Sequence, residues 1–239
     1  MALWTQRVRL TWPPSLTFFE RRFEVLGQYE QMGLLQQFRV REQRVSARLG
    51  DAYHFISISP DELEAGLLQP SGEFHRVESA LRIAFDLLVP RRVVRPRLSF
   101  QWLIPVAEDY DTARLRAITS MIGDVPQLEN KDPALFFTAS SGPDAVVNTE
   151  CGIVEAAEIP RRLARQVGQL TPFADAEAPS SLWPVDSVPN VAFFCDSIWH
   201  MVRLDEPTAD AVFECWDNTR AAAESVVTLL ADRLTLVDA

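Results

Sequence analysis

Lysine is almost missing from this chain: of 23 basic residues, 22 are arginine and only Lys131 is lysine. Cysteine, histidine and glycine are also scarce, at three, three and nine in 239 residues, and each scarcity excludes a kind of chemistry. Cys151, Cys195 and Cys215 are odd in number and widely spaced, which suits neither a disulfide framework nor a paired CxxC metal site, so they read as buried thiols. His54, His75 and His200 show no HxH, HxxxH or HExxH spacing, and no metal site is expected. The glycines form neither a GxxxxGK(S/T) loop nor a GxGxxG turn, the backbone cradles that common nucleotide enzymes use for phosphate, and no cofactor is expected. No apolar run nears the roughly 18 to 20 residues that cross a bilayer. Arg7 and Arg9 stand where a signal peptide would carry its apolar stretch. A cytoplasmic protein with no membrane association is the expectation.

What is present is ample core material. Hydrophobic residues make up 47% and charged residues 23%, a balance that folds without staples at this length. The arginine usage, with so much alanine and valine, suggests a GC-rich bacterial genome. Charge is unevenly divided: residues 1–100 hold 14 arginines against 11 acids, or +3, and residues 101–239 hold 9 basic residues against 22 acids, or −13, which sum to the net −10. The acidic half repels polyanions and disfavours broad nucleic-acid binding, while a local basic patch in the first half remains able to bind one.

Val8, Leu10 and Trp12 alternate with Arg7, Arg9 and Thr11, the period of a half-buried strand that Pro13-Pro14 ends. Ser15 can cap a helix with Leu16, Phe19, Phe23 and Leu26 on one face, running to about Gly27. Residues 38–49 and 52–59 alternate on either side of Gly50-Asp51 and predict a hairpin of two strands, followed by a short segment at 61–68. Phe74, Val77, Leu81, Ala84 and Leu88 predict a helix closed by Pro90. Leu98, Phe100, Trp102 and Ile104 then predict a strand ending at Pro105. The order is β-α-β-β-α-β, the ferredoxin-like plan.

The second half reads as a looser version of that plan. A helix at 112–122 with Asp111 as cap is followed by strands at 134–140 and 145–154, a short helical segment at 160–165 and a long loop at 171–189. A strand at 191–201 and a terminal helix at 208–234 complete it, the helix presenting Val212, Cys215, Thr219, Ala222, Val226 and Leu229. The expected fold is α+β, with two ferredoxin-like lobes (residues 1–106 and 107–239), antiparallel sheets and a long C-terminal helix.

Three stretches carry a resemblance: Ser59-Pro60-Asp61 after the hairpin, the run Arg97-Leu98-Ser99-Phe100-Gln101-Trp102-Leu103-Ile104-Pro105, and Phe193-Phe194-Cys195-Asp196 ahead of the terminal helix. In these the chain resembles a sporadically distributed, uncharacterised family of bacterial proteins of about 250 residues. The family's middle strand places an asparagine where Ile104 stands here. The resemblance implies a two-lobed α+β fold and a distribution like that of genes in mobile or defence loci, and it transfers no catalytic residue.

The sharpest local feature is the run containing Arg91, Arg92, Arg95 and Arg97. Four arginines leading into a strand can grip phosphates or an acidic partner by forked hydrogen bonds; equally they can keep a strand edge solvated, with Pro96 opposing aggregation. Trp183, between Leu182 and Pro184, can anchor a protein contact or pin its loop to the core. Asp109/Asp111 and Asp205/Glu206 are helix-start residues. Cys195, Asp196 and His200 are close in sequence, but Cys195 and Asp196 point to opposite faces of one strand.

No catalytic motif is complete. The composition therefore favours a non-enzymatic protein-interaction component, an adaptor, inhibitor or antitoxin-like protein of a bacterial defence locus, with a protein partner. RNA or small anionic ligand binding through the arginine run, and an enzyme using His200 or Asp196 in a cleft, are the alternatives.

Overall fold

The computed structural model describes residues 2–50, 54–68, 74–90, 95–122, 134–140, 145–159, 162, 188–201, 204 and 207–233. Nine strands form one continuous antiparallel sheet, in the order β2-β3-β4-β5-β1-β6-β9-β8-β7. They are β1 (Ala2–Thr11), β2 (Leu35–Arg41), β3 (Arg44–Leu49), β4 (His54–Ile58), β5 (Glu62–Leu68), β6 (Arg97–Pro105), β7 (Ala134–Ser140), β8 (Ala145–Glu155) and β9 (Val191–Met201). Four helices are described: α1 (Thr17–Gln31), α2 (Phe74–Leu88), α3 (Tyr110–Ile122) and the long C-terminal α4 (Ala209–Arg233). Among the described residues no helix is long and apolar enough to cross a membrane.

All four helices pack on the same face of the sheet. Side chains alternate across a strand, so Val8 and Leu10 of β1, Leu98, Phe100 and Trp102 of β6, and Phe193 and Cys195 of β9 meet the helices in one core. Its centre is Trp216 of α4, fully buried, edge-on to Phe74 at 5.3 Å, its indole N–H donating to Gln6 Oε1 at 3.2 Å. The other face carries a smaller apolar cluster at one end, built from Trp4, Phe55, Leu103, Ile159 and Phe194. Gly66 belongs to this face because the Phe55 ring lies over it: a Cβ there would stand 2.5 Å from Phe55 Cε1.

Several local expectations are corrected. Residues 38–49 are not one strand: β2 and β3 fold back on each other at Glu42-Gln43. β3 then pairs with β4 as expected, with Gly50 in the left-handed region (φ 68°) where the chain reverses; Asp51 lies outside the described residues. Residues 62–68 form β5, a full strand between β4 and β1. Helix α1 runs past Gly27 to Gln31 and buries Phe18, Val25, Leu26 and Tyr29, leaving Leu16, Phe19 and Phe23 exposed. The buried face is set by packing on α2, to which the Tyr29 hydroxyl donates a hydrogen bond at Ala80 O (2.9 Å). Asp109, not Asp111, caps α3, accepting from the Thr112 N–H at 3.0 Å. α4 buries Val212, Phe213, Trp216, Thr219, Ala223 and Val227, and Leu229 is exposed.

Candidate anion-binding site

The helix-free face of the sheet is polar, and the pairing register makes its arrangement explicit. One row runs across the strands as His200 of β9, Arg97 of β6, Arg9 of β1, Glu64 of β5, Ser57 of β4, Ser46 of β3 and Arg39 of β2. The next row holds Ile198, Ser99, Arg7, Gly66, Phe55 and Arg48, and the one beyond it Glu150, Asp196, Gln101 and Thr5. Cross-strand neighbours on one face stand about 4.5 to 5.5 Å apart at Cβ, so these side chains interact directly.

Carboxylates answer some of the arginines. Arg7 Nε meets Glu64 Oε1 at 2.7 Å, both nearly buried. Arg9 pairs with Glu62, its Nε to Oε2 at 2.6 Å, and Arg44 reaches the other oxygen at 3.3 Å. Arg95 and Arg97 form no ion pair with a carboxylate among the described residues, although the Arg97 charge reaches Asp196 and favours its ionised form, and the Arg97 Nε is buried with no hydrogen-bond partner there.

At the end of the sheet where β1 leaves and β6 begins, these groups open into a cleft of about 910 Å³. Arg9, Arg95, Arg97 and His200 line it, with Thr11, Trp12, Pro13, Pro96, Val146 and Met201 as the remaining wall. Among the described residues no acid lines it; of its arginines only Arg9 is ion-paired, with Glu62, which Arg44 shares. Burial, and then the Arg97 charge, push the His200 imidazole below its ordinary range and so favour the neutral ring, which can donate one hydrogen bond and accept another. Guanidinium groups beside an imidazole in one cleft are suited to a phosphate or carboxylate.

Of the arginines singled out in the sequence, Arg95 and Arg97 line this cleft; Arg91, Arg92 and Trp183 lie outside the described residues. Arg9 and His200 were not associated with them by sequence, because only the strand order β1-β6-β9 makes them neighbours.

Cys195, Asp196 and His200 do not assemble a nucleophilic site. Cys195 faces the helices beside Cys151, and burial pushes both thiols up, Cys151 to about 12, away from the thiolate that a nucleophile needs. Asp196 and His200 share the opposite face but stand four residues apart on one strand, about 13 Å at ~3.3 Å per residue, and Asp196 does not line the cleft. Among the described residues no group of three or more His, Cys, Asp or Glu is placed to hold a metal.

Asp196 has a role of its own in pH dependence. Its Oδ2 accepts from Gln101 Nε2 (3.4 Å), whose Oε1 accepts from the Thr5 hydroxyl (2.8 Å). Burial raises its carboxyl to about 6 despite the Gln101 hydrogen bond, and Glu150 opposite adds to the rise. The unfolded chain binds this proton only near about 3.9. As pH falls through 6 the folded protein therefore gains stability from this group, and loses it again as pH rises. In melting experiments from about pH 7.5 down to about pH 5, Asp196→Asn should flatten the profile by on the order of 1 to 3 kcal/mol relative to wild type; parallel profiles would refute the assignment.

No protein-family model matches the chain, and no curated protein matches it in sequence.

Proposed function

We propose that this protein is a non-enzymatic binding protein that takes a phosphate-bearing anionic ligand in the cleft between β1, β6 and β9. The observation that carries this is Arg95 and Arg97 lining a cleft to which no described residue contributes an acid, neither of them ion-paired with a carboxylate among the described residues. In a chain of net charge −10, ordinary composition would supply such partners readily. Arg95 and Arg97 carry guanidinium groups able to make bidentate contacts to phosphate oxygens, and His200 adds a hydrogen bond that strengthens as a bound anion draws a proton onto the ring. The volume falls within the roughly 300 to 1,000 Å³ of small-molecule sites. The protein-partner reading favoured by composition has no comparable constellation behind it among the described residues.

Titration calorimetry with adenosine monophosphate and with inorganic phosphate tests the proposal. Arg97→Ala is expected to weaken binding about tenfold and Arg95→Ala by less, since Arg95 is the more exposed. Absence of binding, or binding indifferent to both changes, would overturn it.

We also infer that the first half is a ferredoxin-like lobe enlarged by the β2–β3 hairpin; support comes from the order β4-β5-β1-β6 with α1 and α2 in the connections. A second such lobe over residues 107–239 is the corresponding reading of α3, β7, β8, β9 and α4.

A further inference from the structure

The cleft does not stand alone. A second one, of about 560 Å³, opens at the same end of the strands, lined by Phe19, Arg41, Arg44, Ser59 and Asp61 with Pro14, Pro60, Glu42 and Gln43. The chain at residues 12–15 contributes to both, Trp12 and Pro13 to the first and Pro14 to the second, and is held down on the β4–β5 turn by the Trp12 and Ser15 N–H groups, which donate to Asp61 O and Pro60 O at 2.9 Å. Arg44 is answered by Glu62 and Asp61 accepts from the Ser59 hydroxyl, but Arg41 has no ion-pair partner among the described residues.

The two clefts join along an arginine-rich face. Between β2 and β6 the helix-free side carries Arg7, Arg9, Arg39, Arg41, Arg44, Arg48 and Arg97, with Arg95 just ahead of β6, against only Glu62 and Glu64 among the strand residues. With the turn residues Glu42 and Asp61 of the second cleft counted too, eight cations against four anions leave +4 among the described residues of this part of a chain whose total is −10. From β9 to β2 is six strand spacings, about 29 Å at ~4.8 Å each. A lone phosphate or a mononucleotide uses one end of this; a chain of phosphates uses its length.

We propose, resting on the cleft reading above, that the ligand is a single-stranded nucleic acid lying across this end of the sheet. One phosphate sits on Arg95 and Arg97, the backbone passes over the segment at residues 12–15, and a second phosphate reaches Arg41. Phe19, 42% exposed at the second cleft with the Arg22 guanidinium 5.7 Å from its ring centroid, offers a face for a base, the combination of basic track and aromatic platform that holds single strands without reading their sequence. The acidic half of the chain does not cancel this: at physiological salt charges are screened beyond about 8 Å, and of the described acids at the track Glu62 and Glu64 are paired with Arg9, Arg44 and Arg7 while Glu42 and Asp61 line the second cleft. A duplex, whose phosphates run as two separated rows, fits a single track less well.

Fluorescence anisotropy with labelled RNA and DNA from dinucleotide to decamer, beside calorimetry with adenosine monophosphate, tests this on the full chain. Affinity is expected to rise at least about tenfold from dinucleotide to decamer and to fall steeply between ~50 and ~200 mM salt. Arg41→Ala and Phe19→Ala, both at exposed positions, should each weaken the decamer severalfold and leave the mononucleotide unchanged, whereas Arg97→Ala weakens both. Equal affinity for mononucleotide and decamer, indifferent to Arg41→Ala, overturns the single-strand proposal and leaves the cleft reading standing. Failure of both ligands to bind removes the two together. A polyglutamate peptide or a duplex binding more tightly than the decamer also overturns it.

Discussion

Replacing Trp216 by alanine should lower the stability of this protein by about 3 to 5 kcal/mol, enough to unfold a substantial fraction of a marginally stable domain. The indole is fully buried under α4, where it fills the space between Phe74 of α2 and Gln6 of β1. Its removal leaves a cavity lined by residues from three elements that cannot all move inward. It also strands the Gln6 side chain, only 5% exposed, without the donor its carbonyl oxygen uses, a loss of about 1 to 3 kcal/mol by itself. Trp216→Phe separates the contributions, since it keeps most of the ring contact and loses only the hydrogen bond. Urea unfolding should show the midpoint drop at nearly constant slope for both variants, more for alanine than for phenylalanine. A loss under about 1 kcal/mol for alanine would contradict the central placement of α4.

The second large effect is expected at the Arg7–Glu64 pair. Burial pushes the Glu64 carboxyl up although Arg7 opposes the shift, and burial pushes the Arg7 guanidinium down although Glu64 opposes it, with Arg97 and Arg9 adding to the fall. Both directions say that taking these charges out of water costs more than their 2.7 Å contact returns. Breaking the pair from one side, with Arg7→Met or Glu64→Gln, leaves a buried group facing its former partner's place, at a cost of about 3 to 5 kcal/mol. Replacing both by apolar residues of similar volume should come out near neutral or better. A double-mutant cycle on unfolding free energies decides it: single variants far worse than the double support this account, and simple additivity overturns it.

How far such a site can be read from sequence depends on which interactions define it. Helix α2 and strands β6 and β9 were predictable almost to the residue because long, clean periodicity and bounding prolines leave one reading: Pro90 after α2, Pro105 at the end of β6. The α1 face was not, because apolar spacing alone cannot distinguish Phe19 and Phe23 from Phe18 and Tyr29. The decision comes from the hydrogen bond and packing with α2, and the Arg22 guanidinium covers the rings left outside, 5.0 Å from the Phe23 centroid. Residues 38–49 misled for a different reason: the apolar positions change phase at the reversal, from Phe38 and Val40 to Val45, Ala47 and Leu49, but Glu42-Gln43 holds none of the glycine or asparagine that usually marks a tight turn. In the cleft, Arg95 and Arg97 stood out as a charge run, but Arg9 is 86 positions and His200 103 positions from Arg95 and Arg97 respectively. Their meeting is a consequence of strand order, for which local pattern holds no signal.

That order also constrains how the chain is made. β6 has β1 on one side from early on, but its other neighbour is β9, so Trp102 waits for Cys195 and Arg97 for His200. The indole that completes the centre pairs with a glutamine 210 positions upstream. On a ribosome that adds residues at ~5 to 20 per second, the central strand stays half open for several seconds after it emerges. Its Leu98, Phe100, Trp102 and Ile104 side chains are bare of α4 throughout that interval. Closure is dominated by contacts distant in sequence, the arrangement that folds slowly, and nascent chains interrupted before α4 should be the form of this protein that chaperones meet.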